Sequence, residues 1–535
     1  MSRILTSTGA ASTATLISRV LGFVREFAFA AFLGTGPIAD AFYMALQLPN
    51  LVRRFVGEGA LTAAFIPMLQ EERMDGDAKG WQFANRALSL LVVLLGTFSA
   101  LVMILASLLL WFAAKGWVTQ FDIDTLLMFS LLRDMSPYIP LACLTAVFIG
   151  ILNAVGRFFL PIVSSAVLNV VLIATVWWVA PRFGTELYQQ VYALAFGLVV
   201  AGAVQAICQL PGLRQAGFRL AWDFNWKDPA VRELLRRTGP AILGVGVFQF
   251  SVLLTQGLAF IHGPQIVSSF NYAVRLMELP QGLVGLSLAT VLLSELSQLS
   301  AEKKYPEFRS TLKEGLLQLV FLTLVPVVTM LILAEPIVRL LFERGRFDTV
   351  STMRVSEMLV ALGPGLLAFS LNNLLARAFY ALGDTSTPMK VGMFSVIITI
   401  LSSIFLLRFF PGSGLGMANS LGAIANAILL TYAFRRKLPL FKFGELRSPV
   451  SRMVWSAVVA AAVMWGTKWA WERWVGHANL AAKLGEVVIP ALLGGGSYLA
   501  VTLALGLAQP REIIAVASAW FSGDPKEEAG EDTQP

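Results

Sequence analysis

The chain has 535 residues, of which 56% are hydrophobic and only 14% are charged, and its mean hydropathy is +0.71. This composition excludes a soluble globular protein and predicts an all-α polytopic membrane protein. The net charge is +8, but the basic residues cluster in short loops between apolar runs. That distribution is typical of the positive-inside rule and argues against nucleic-acid binding.

The sequence offers little material for a catalytic or metal centre. Cys143 and Cys208 lie in apolar runs, and no disulfide or metal motif is present. No Walker A loop, Gly-x-Ser-x-Gly or His-Glu-x-x-His motif occurs. Asp122 and Asp124 have the spacing of a glycosyltransferase Asp-x-Asp pair, but their position favours a solvated outer loop. We therefore predict a transporter, not an enzyme, without cofactor or metal, driven by the membrane potential or by a coupled ion.

Apolar runs of about 20 residues predict about fourteen membrane-spanning helices. The first is kept as a span, because its apolar region is interrupted by arginines in a way that a cleavable signal peptide is not. The second and eighth are long enough to be bent or to protrude. The predicted spans are 10–33, 39–69, 83–113, 127–153, 159–180, 187–211, 237–262, 266–298, 312–334, 357–382, 388–410, 414–434, 450–471 and 486–508.

The loop charges predict the orientation of the chain. An even number of spans places both termini on one side, and the basic loops after spans six, eight and twelve lie on that side, which predicts cytoplasmic termini. One loop disagrees, because segment 339–354 carries four arginines on the predicted outer side. Its pattern at 337–342 predicts a short amphipathic helix on the outer interface. The acidic tail lacks hydrophobic residues after position 524, and we expect it to be disordered.

An internal repeat divides the chain. The recurring residues are Ala154, Gly156 and Pro161 against Ala381, Gly383 and Pro388, and Gly36-Pro37 against Gly263-Pro264, each pair 227 residues apart (381 − 154; 263 − 36). The repeat predicts two parallel six-helix halves plus two extra C-terminal helices. The predicted parts are an N-lobe at 1–211, a basic cytoplasmic linker at 212–236, a C-lobe at 237–434, a basic cytoplasmic loop at 435–449, spans thirteen and fourteen at 450–508, and the cytoplasmic tail at 509–535.

The first span carries ionisable residues near its middle. A charge at the bilayer centre costs about 2.5–3.5 kcal/mol, so such residues are rare and usually functional. At about 100° per residue, Ser18, Arg19, Arg25 and Glu26 all fall within roughly 60° of Gly22 and form one polar stripe. Gly22 lets another group approach the backbone. The alternative is a buried Arg–Glu pair that only fixes helix packing.

Two further polar rows lie in other spans. In the second span Asp40 comes first, and Arg53 lies beside the row that follows Pro49. In the eighth span the row ends just before Pro280. The two rows are Asn50, Arg54 and Glu58, at i, i+4 and i+8, and Asn271, Arg275 and Glu278, at i, i+4 and i+7. Three spans with inward arginines balanced by acids predict one shared wet cavity between the halves.

The residue types in these rows favour an anionic substrate. Guanidinium groups grip phosphate oxygens bidentately and stay charged when partly desolvated. The acids would hold the arginines in place while the site is empty. A pump for cationic drugs would show unpaired acids in its cavity and few arginines.

Several motifs resemble one known family. They are Ser18-Arg-Val-Leu-Gly-Phe-Val-Arg25-Glu26, Ala39-Asp-Ala-Phe42, Leu48-Pro-Asn50, Arg53-Arg54, Glu58-Gly-Ala60, Ala64-Phe-Ile-Pro67, Asn271-Tyr-Ala-Val-Arg275, Glu278-Leu-Pro-Gln281 and Ala378-Phe-Tyr-Ala-Leu-Gly-Asp384-Thr-x-Thr-Pro388. Together they resemble the lipid II flippase family (MurJ, also called MviN) of the multidrug/oligosaccharidyl-lipid/polysaccharide exporter superfamily. The resemblance covers essentially the whole chain.

The resemblance implies a fold and a function. It implies fourteen spans in the bacterial cytoplasmic (inner) membrane and a cavity between two lobes. The implied activity is flipping of the undecaprenyl-diphosphate-linked peptidoglycan precursor, lipid II, to the outer leaflet by alternating access, for cell-wall synthesis. The implied partners are lipid II, membrane lipid and the cell-wall synthesis machinery.

The resemblance also implies roles for particular residues. The family's cavity arginines correspond to Arg19, Arg25, Arg53 and Arg275, with Asp40 as an important acid, and spans thirteen and fourteen correspond to a groove for the lipid tail. The family's coupling ion does not carry over, because span seven contains no acidic residue. Two alternatives stay open: a multidrug or cation antiporter of the same superfamily, and a non-transporting cell-wall scaffold with purely structural arginines.

Overall fold

The computed structural model describes residues 2–57, 60–117, 120–438, 441 and 444–511. These residues form nineteen α-helices, and the described part of the chain contains no β-strand. The all-α prediction is therefore confirmed, and the described residues of the fourteen predicted spans lie mostly in helix. The predicted site residue Glu58 and the tail from residue 512 onward lie outside the described residues.

The chain packs as two compact units. The first comprises Met1–Tyr272 and Phe342–Ser351. In its apolar core Phe65 stacks on Phe83 with ring centroids 5.7 Å apart. The helices of this unit are α1 (Ser2–Leu33), α2 (Pro37–Gly57), α3 (Ala60–Met74), α4 (Asp77–Ala114), α5 (Ile123–Met135), α6 (Tyr138–Ala154), α7 (Phe159–Ala174), α8 (Leu187–Ile207), α9 (Leu210–Gln215) and α10 (Pro229–His262). Helix α10 packs against α2 and α3, and the predicted lobe boundary at residue 211 stays a prediction.

The second unit comprises Ala273–Leu341 and Thr352–Pro535. Its helices are α11 (Ile266–Pro280), α12 (Ser287–Ala301), α13 (Tyr305–Ile332), α14 (Ala334–Phe342), α15 (Thr349–Ala381), α16 (Ser386–Phe409), α17 (Gly414–Lys437), α18 (Gly444–Trp474) and α19 (Leu480–Ala504), of which α11, α14 and α15 have one end in the first unit. Helix α13 packs along α18. The buried Tyr498 hydroxyl of α19 donates a hydrogen bond of 3.1 Å to the Phe321 carbonyl oxygen of α13.

Long apolar helices account for most of both units. Among the described residues, ten helices are long and apolar enough to cross a membrane, or eleven if α5 and α6, which meet at a 43° bend, form one span. Helices α1, α2 and α10 are not among them. A polytopic membrane protein is thus confirmed, while the count of fourteen spans stays a prediction. In the eighth predicted span, Pro280 is followed by a π-helical segment, Gln281–Leu286, since proline removes one backbone donor from the helix.

Two aspartates that might have suggested chemistry cap helices instead. Asp122 accepts hydrogen bonds from the Thr125 amide (3.2 Å) and hydroxyl (2.6 Å) at the start of α5, and the hydroxyl contact lowers the pKa of this carboxyl group. Asp384 accepts from the Thr387 amide (3.0 Å) and pairs with Lys437 (2.6 Å), which holds its pKa well below the usual range. Both carboxylates satisfy helix N-terminal amides. Asp384 is thus a turn residue that fastens the start of α16.

The helix boundaries support the repeat. Helices α6 and α15 end at Ala154 and Ala381, and the following helices begin at residues 159 and 386, each 227 apart (381 − 154; 386 − 159). Gly156 and Gly383 both have φ of +74°. Each glycine amide donates to the carbonyl three residues back, and the next amide donates five residues back. This Schellman turn needs a left-handed residue, which explains why glycine recurs.

The predicted short helix at 337–342 is confirmed as α14, but its arginine is buried. Arg339 is 6% exposed and donates a hydrogen bond of 2.8 Å to Glu486 of α19, which is itself fully buried. A second bond joins Arg339 to Glu335, one turn earlier. The arginine that suggested a solvated interface is thus neutralised inside the second unit. The sequence could not show this, because its partner lies 147 residues away.

The buried pair predicts a stability difference. Glu486→Ala removes the buried partner of Arg339 and should lower the free energy of unfolding by about 3–5 kcal/mol, whereas Arg339→Met with Glu486→Leu should stay near wild type. Thermal unfolding of the purified protein in detergent measures both. As a control, Glu445→Ala breaks the exposed Lys313–Glu445 pair and should cost no more than about 1 kcal/mol. A single Glu486 variant as stable as the double variant would contradict this account.

Candidate functional site

The polar stripe of α1 is held by a residue that the sequence analysis missed. Arg25 Nη2 donates to Glu26 Oε1 (2.5 Å), and Arg25 Nη1 donates to the side-chain oxygen of Asn169 on α7 (3.0 Å). The Asn169 amide nitrogen donates in turn to the Ser18 carbonyl oxygen (3.4 Å). Helix α7 packs along α1, and Asn169 is almost completely buried. The Arg25 side of the stripe therefore has a polar neighbour on α7.

Gly22 lies opposite Asn169, but the approach is not tight. A Cβ atom at Gly22 would lie 3.8 Å from Asn169 Nδ2, an ordinary van der Waals distance. The predicted role of Gly22 in admitting a neighbouring group is therefore right in position, although an alanine would also fit. Arg19, in contrast, is exposed, and Ser18 is partly buried.

Arg25 keeps unused hydrogen-bonding capacity. A guanidinium group has five N–H donors, and the described contacts of Arg25 use its Nη1 and Nη2 atoms. Its Nε atom is buried and has no hydrogen-bond partner among the described residues. The Arg25 side chain is 21% exposed, and its Cζ lies 5.9 Å from the Phe29 ring centroid. A rigid cation with spare donors in an apolar helix can bind oxygen atoms of an anion.

Asp40 caps another helix. Its Oδ1 accepts a 2.8 Å hydrogen bond from the Ser268 amide in the first turn of α11, where a carboxylate is favoured by unpaired amides and the helix dipole. The residue is 1% exposed, and Oδ2 has no hydrogen-bond partner in the described part of the chain. Asp40 thus joins the beginning of α2 to the beginning of α11. This contact gives it a structural role beside any role in transport.

Two polar contacts join α2 to α10 farther along. Gln47 donates to Gln256 (2.5 Å), and Arg54 donates to Gln249 (3.1 Å). The partners are seven residues apart on each antiparallel helix, so the contacts recur every two turns. Asn271 of α11 also donates to Gln256 (3.2 Å). The predicted residues Asn50 and Arg53 of α2 are partly buried.

Arg275 and Glu278 belong to the second unit. They form a 2.9 Å ion pair one turn apart on α11, with side chains 41% and 46% exposed. The i, i+3 spacing of opposite charges on a helix predicts this contact directly. The predicted eighth-span row is therefore divided, because Asn271 bonds within the first unit.

The described contacts tie several of the predicted residues to neighbouring helices, and the shared cavity stays a prediction. Arg25, Glu26 and Ser18 meet around Asn169, Arg54 bonds to α10, and Asp40 bonds to α11. The residues that sequence reasoning missed are Gln47, Asn169, Gln249, Gln256 and Ser268. Gln47 lies seven residues before Arg54 on α2, and Gln249 lies seven residues before Gln256 on α10, so this spacing was a usable sequence signal of a polar contact. A lone Asn169 in an apolar span was not such a signal. No group of three or more potential metal ligands occurs in the described ranges.

The Asn169 contacts predict a stability effect. Asn169→Leu removes an acceptor from the partly buried Arg25 and should lower the free energy of unfolding by about 1–3 kcal/mol. Ser165→Leu, on an exposed position of the same helix, is the matched control and should change it by less than about 0.5 kcal/mol. Thermal unfolding in detergent measures both. Equal melting temperatures for the two variants would show that Asn169 does not hold Arg25.

Comparisons with known proteins identify relatives along nearly the whole chain. The family described as "Lipid II flippase MurJ" matches residues 29–484. A Vibrio cholerae protein named "Probable lipid II flippase MurJ" is 32% identical over 528 residues, covering 94% of this chain and 97% of the relative. A Burkholderia cenocepacia protein named "Lipid II flippase MurJ" is 33% identical over 429 residues, covering 79% and 82%.

Solved structures show the same fold. One described as "Lipid II flippase MurJ, inward closed conformation" has a TM-score of 0.73 at 22% identity and covers 94% of this chain and 99% of that chain. An inward-facing multidrug resistance MATE family transporter of the MOP superfamily has a TM-score of 0.64 at 13% identity, covering 81% and 98%. The family match, the sequence relatives and the shared fold agree: this chain belongs to the lipid II flippase MurJ family.

Proposed function

We propose that this protein flips lipid II from the inner to the outer leaflet of the bacterial cytoplasmic membrane. Family membership and the paired arginine on α1 support this proposal. The observation that carries it is Arg25, whose guanidinium group is fixed by Glu26 and Asn169 while its side chain stays 21% exposed. A fixed cation suits the binding of a diphosphate. Because a charge inside a membrane is costly in free energy, a charged residue there is usually functional.

Four arginines would bind the diphosphate of the substrate. They are Arg19, Arg25, Arg53 and Arg275, as the family resemblance implies. In the structure Glu26 pairs with Arg25 and Glu278 pairs with Arg275. These two arginines are therefore neutralised before substrate arrives. Substrate phosphate would compete with the carboxylates for the guanidinium donors, and bidentate geometry favours arginine over lysine for this exchange.

The orientation and the driving force follow from charge. With both termini cytoplasmic, outward movement of a diphosphate across a membrane that is negative inside is favourable by about 2.3 kcal/mol per full charge per 100 mV. The membrane potential would therefore bias transport outward without a dedicated ion site. Spans thirteen and fourteen, now α18 and α19, would hold the polyprenyl tail, and the cell-wall synthesis machinery would take up the flipped precursor.

The proposal predicts that Arg25 is required for flipping. In cells depleted of the native protein, Arg25→Ala should trap precursor in the inner leaflet, while Arg25→Lys should flip at least about tenfold more slowly than wild type, because lysine cannot bind two oxygens in a fixed plane. Leaflet accessibility of the lipid-linked precursor is the measurement.

An arginine outside the proposed site provides the matched control. Arg236 is exposed and bonds to Glu233 within its own helix, so Arg236→Ala should flip normally. The folded amount and melting temperature of each variant are measured in parallel. Normal flipping by Arg25→Ala at normal abundance would reject the binding role of Arg25. Unchanged outward precursor in depleted cells without any complementing protein would reject the flippase proposal itself.

A further inference from the structure

Helix α15 carries an arginine at the end of its apolar part. Residues 358–376 contain no charged side chain, and Arg377 is the first charged residue after them. A helical run of that length spans about 28 Å, close to the hydrocarbon thickness of about 30 Å in a bilayer. Arg377 is partly buried, and α15 ends one turn later, at Ala381. With the apolar run across the bilayer, Arg377 lies at the level of the lipid phosphates, at the end of α15 predicted to be cytoplasmic.

Arg377 has a neutral partner instead of a carboxylate. Its Nη1 atom donates a 2.6 Å hydrogen bond to the Thr290 hydroxyl oxygen of α12. That hydroxyl donates its own proton to the Leu286 carbonyl oxygen (2.7 Å), so its lone pairs are available to the arginine. No acidic side chain pairs with Arg377 in the described part of the chain. Arg275 and Arg339 of the same unit, in contrast, each pair with a glutamate.

The acidic residues that follow in the chain have other partners. After α15, Asp384 pairs with Lys437 at 2.6 Å. In α12, Glu295 accepts a hydrogen bond of 3.4 Å from the Thr311 hydroxyl. A guanidinium group has five N–H donors, and the described contact of Arg377 uses only its Nη1 atom. Arg377 can therefore bind an added anion without first losing a carboxylate partner.

Two short polar rows flank this contact, one on each helix. At about 100° per residue, each row covers about 60° of its helix. The rows are Asn373, Arg377 and Tyr380 on α15, at i, i+4 and i+7, and Ser287, Thr290 and Ser294 on α12, at i, i+3 and i+7. The three α12 residues and Tyr380 are exposed. Hydroxyl and amide groups beside an arginine offer further hydrogen bonds to the oxygen atoms of an anionic head group.

The contact lies on the same face of the eighth predicted span as Arg275. Arg275 and Thr290 both belong to the second unit and are fifteen residues apart (290 − 275) on one apolar helix, Ile266–Ala301. Four α-helical turns take about 14.4 residues, and the π-helical segment Gln281–Leu286 adds about one residue to them. Thr290 is therefore four turns from Arg275 on this face, a distance of about 22 Å.

We propose that Arg377, positioned by Thr290, is an entry site for the diphosphate of the lipid-linked substrate. A diphosphate carried by a membrane lipid starts at the head-group level, where Arg377 lies. Binding there places it at the cytoplasmic end of the helix face that leads to Arg275. Arg377 receives the phosphate oxygens directly, whereas at Arg275 they compete with Glu278. The inference rests on the proposed flippase function and adds a residue that the family resemblance does not assign.

Binding of undecaprenyl diphosphate to the full-length protein in phosphatidylcholine nanodiscs tests the entry site. Arg377→Ala should raise the Kd at least about fivefold, because a charge-assisted bidentate contact is lost. Thr290→Val, which removes the hydroxyl that positions Arg377, should raise it at least about twofold, and Thr290→Ser should recover wild-type binding. An unchanged Kd in Arg377→Ala would overturn the proposal.

An arginine at the opposite end of a neighbouring helix provides the matched control. Arg408 is exposed and follows the uncharged residues 391–407 of α16, so Arg408→Ala should bind undecaprenyl diphosphate normally. Competition distinguishes the substrate from ordinary membrane lipid, because both carry phosphate. An excess of phosphatidylglycerol should leave the Arg377-dependent binding intact. Displacement by phosphatidylglycerol would identify a general phospholipid site and overturn the entry role.

Flipping kinetics in reconstituted vesicles separate a binding role from a structural one. Arg377→Ala should raise the precursor concentration for half-maximal flipping at least about fivefold and change the maximal rate by less than about twofold, as loss of an initial binding contact does. A lowered maximal rate at an unchanged half-maximal concentration would show a structural role and reject the entry site.

The two measurements together distinguish the entry site from the flippase function. Arg377-dependent binding in a wild-type protein that flips no precursor would retain the entry site and reject the proposed function. Flipping by the wild type with equal binding by Arg377→Ala would reject the entry site alone.

Discussion

The fold depends on compensating charged and amide side chains inside an apolar helical protein. An unpaired charge or amide is costly where water is scarce, so a buried charged side chain is stabilised by partners within the protein. Arg25 meets this requirement through Glu26 and Asn169, and Arg339 meets it through Glu335 and Glu486. These contacts fix which helices pack together, because dispersion alone discriminates weakly among apolar faces.

The same requirement explains what could be predicted from sequence. The positions of the helices could be predicted from the lengths of the apolar runs, and the α1 stripe could be predicted from helical spacing. Both predictions depend only on residues that are close in the chain. Arg275 and Glu278 lie one turn apart, so their ion pair could also be predicted from the sequence. Partners 144 to 228 residues away, such as Asn169 for Arg25 or Ser268 for Asp40, depend on how helices meet. For that reason the polar rows could be recognised in the sequence, whereas the distant partners of their members could not.

The repeat links local chemistry to the whole architecture. Turns after α6 and α15 share a left-handed glycine and the same two backbone bonds at an offset of 227 residues. The residue after each glycine nevertheless differs: Arg157 donates to the Gly212 carbonyl oxygen (3.2 Å), while Asp384 pairs with Lys437. The two turns therefore share their backbone geometry, because the chain reverses at both. The side chain after each glycine differs, and each anchors its turn through a different contact. Only the recurring alanine, glycine and proline positions revealed the repeat in the sequence.

Helix α2 is fastened by different chemistry along its length. Near its beginning, Asp40 caps α11, and Tyr43 lies in a group of buried rings in which it contacts Phe42 and Tyr272 at 5.6 and 5.4 Å. Toward its end, Arg54 donates a hydrogen bond of 3.1 Å to Gln249, and the neighbouring residues are only partly buried. Packed aromatic rings resist separation through their whole contact area, whereas a hydrogen bond exposed to water contributes about 0.5–1.5 kcal/mol net. The beginning of α2 is consequently held by packed rings as well as by the hydrogen bond of Asp40.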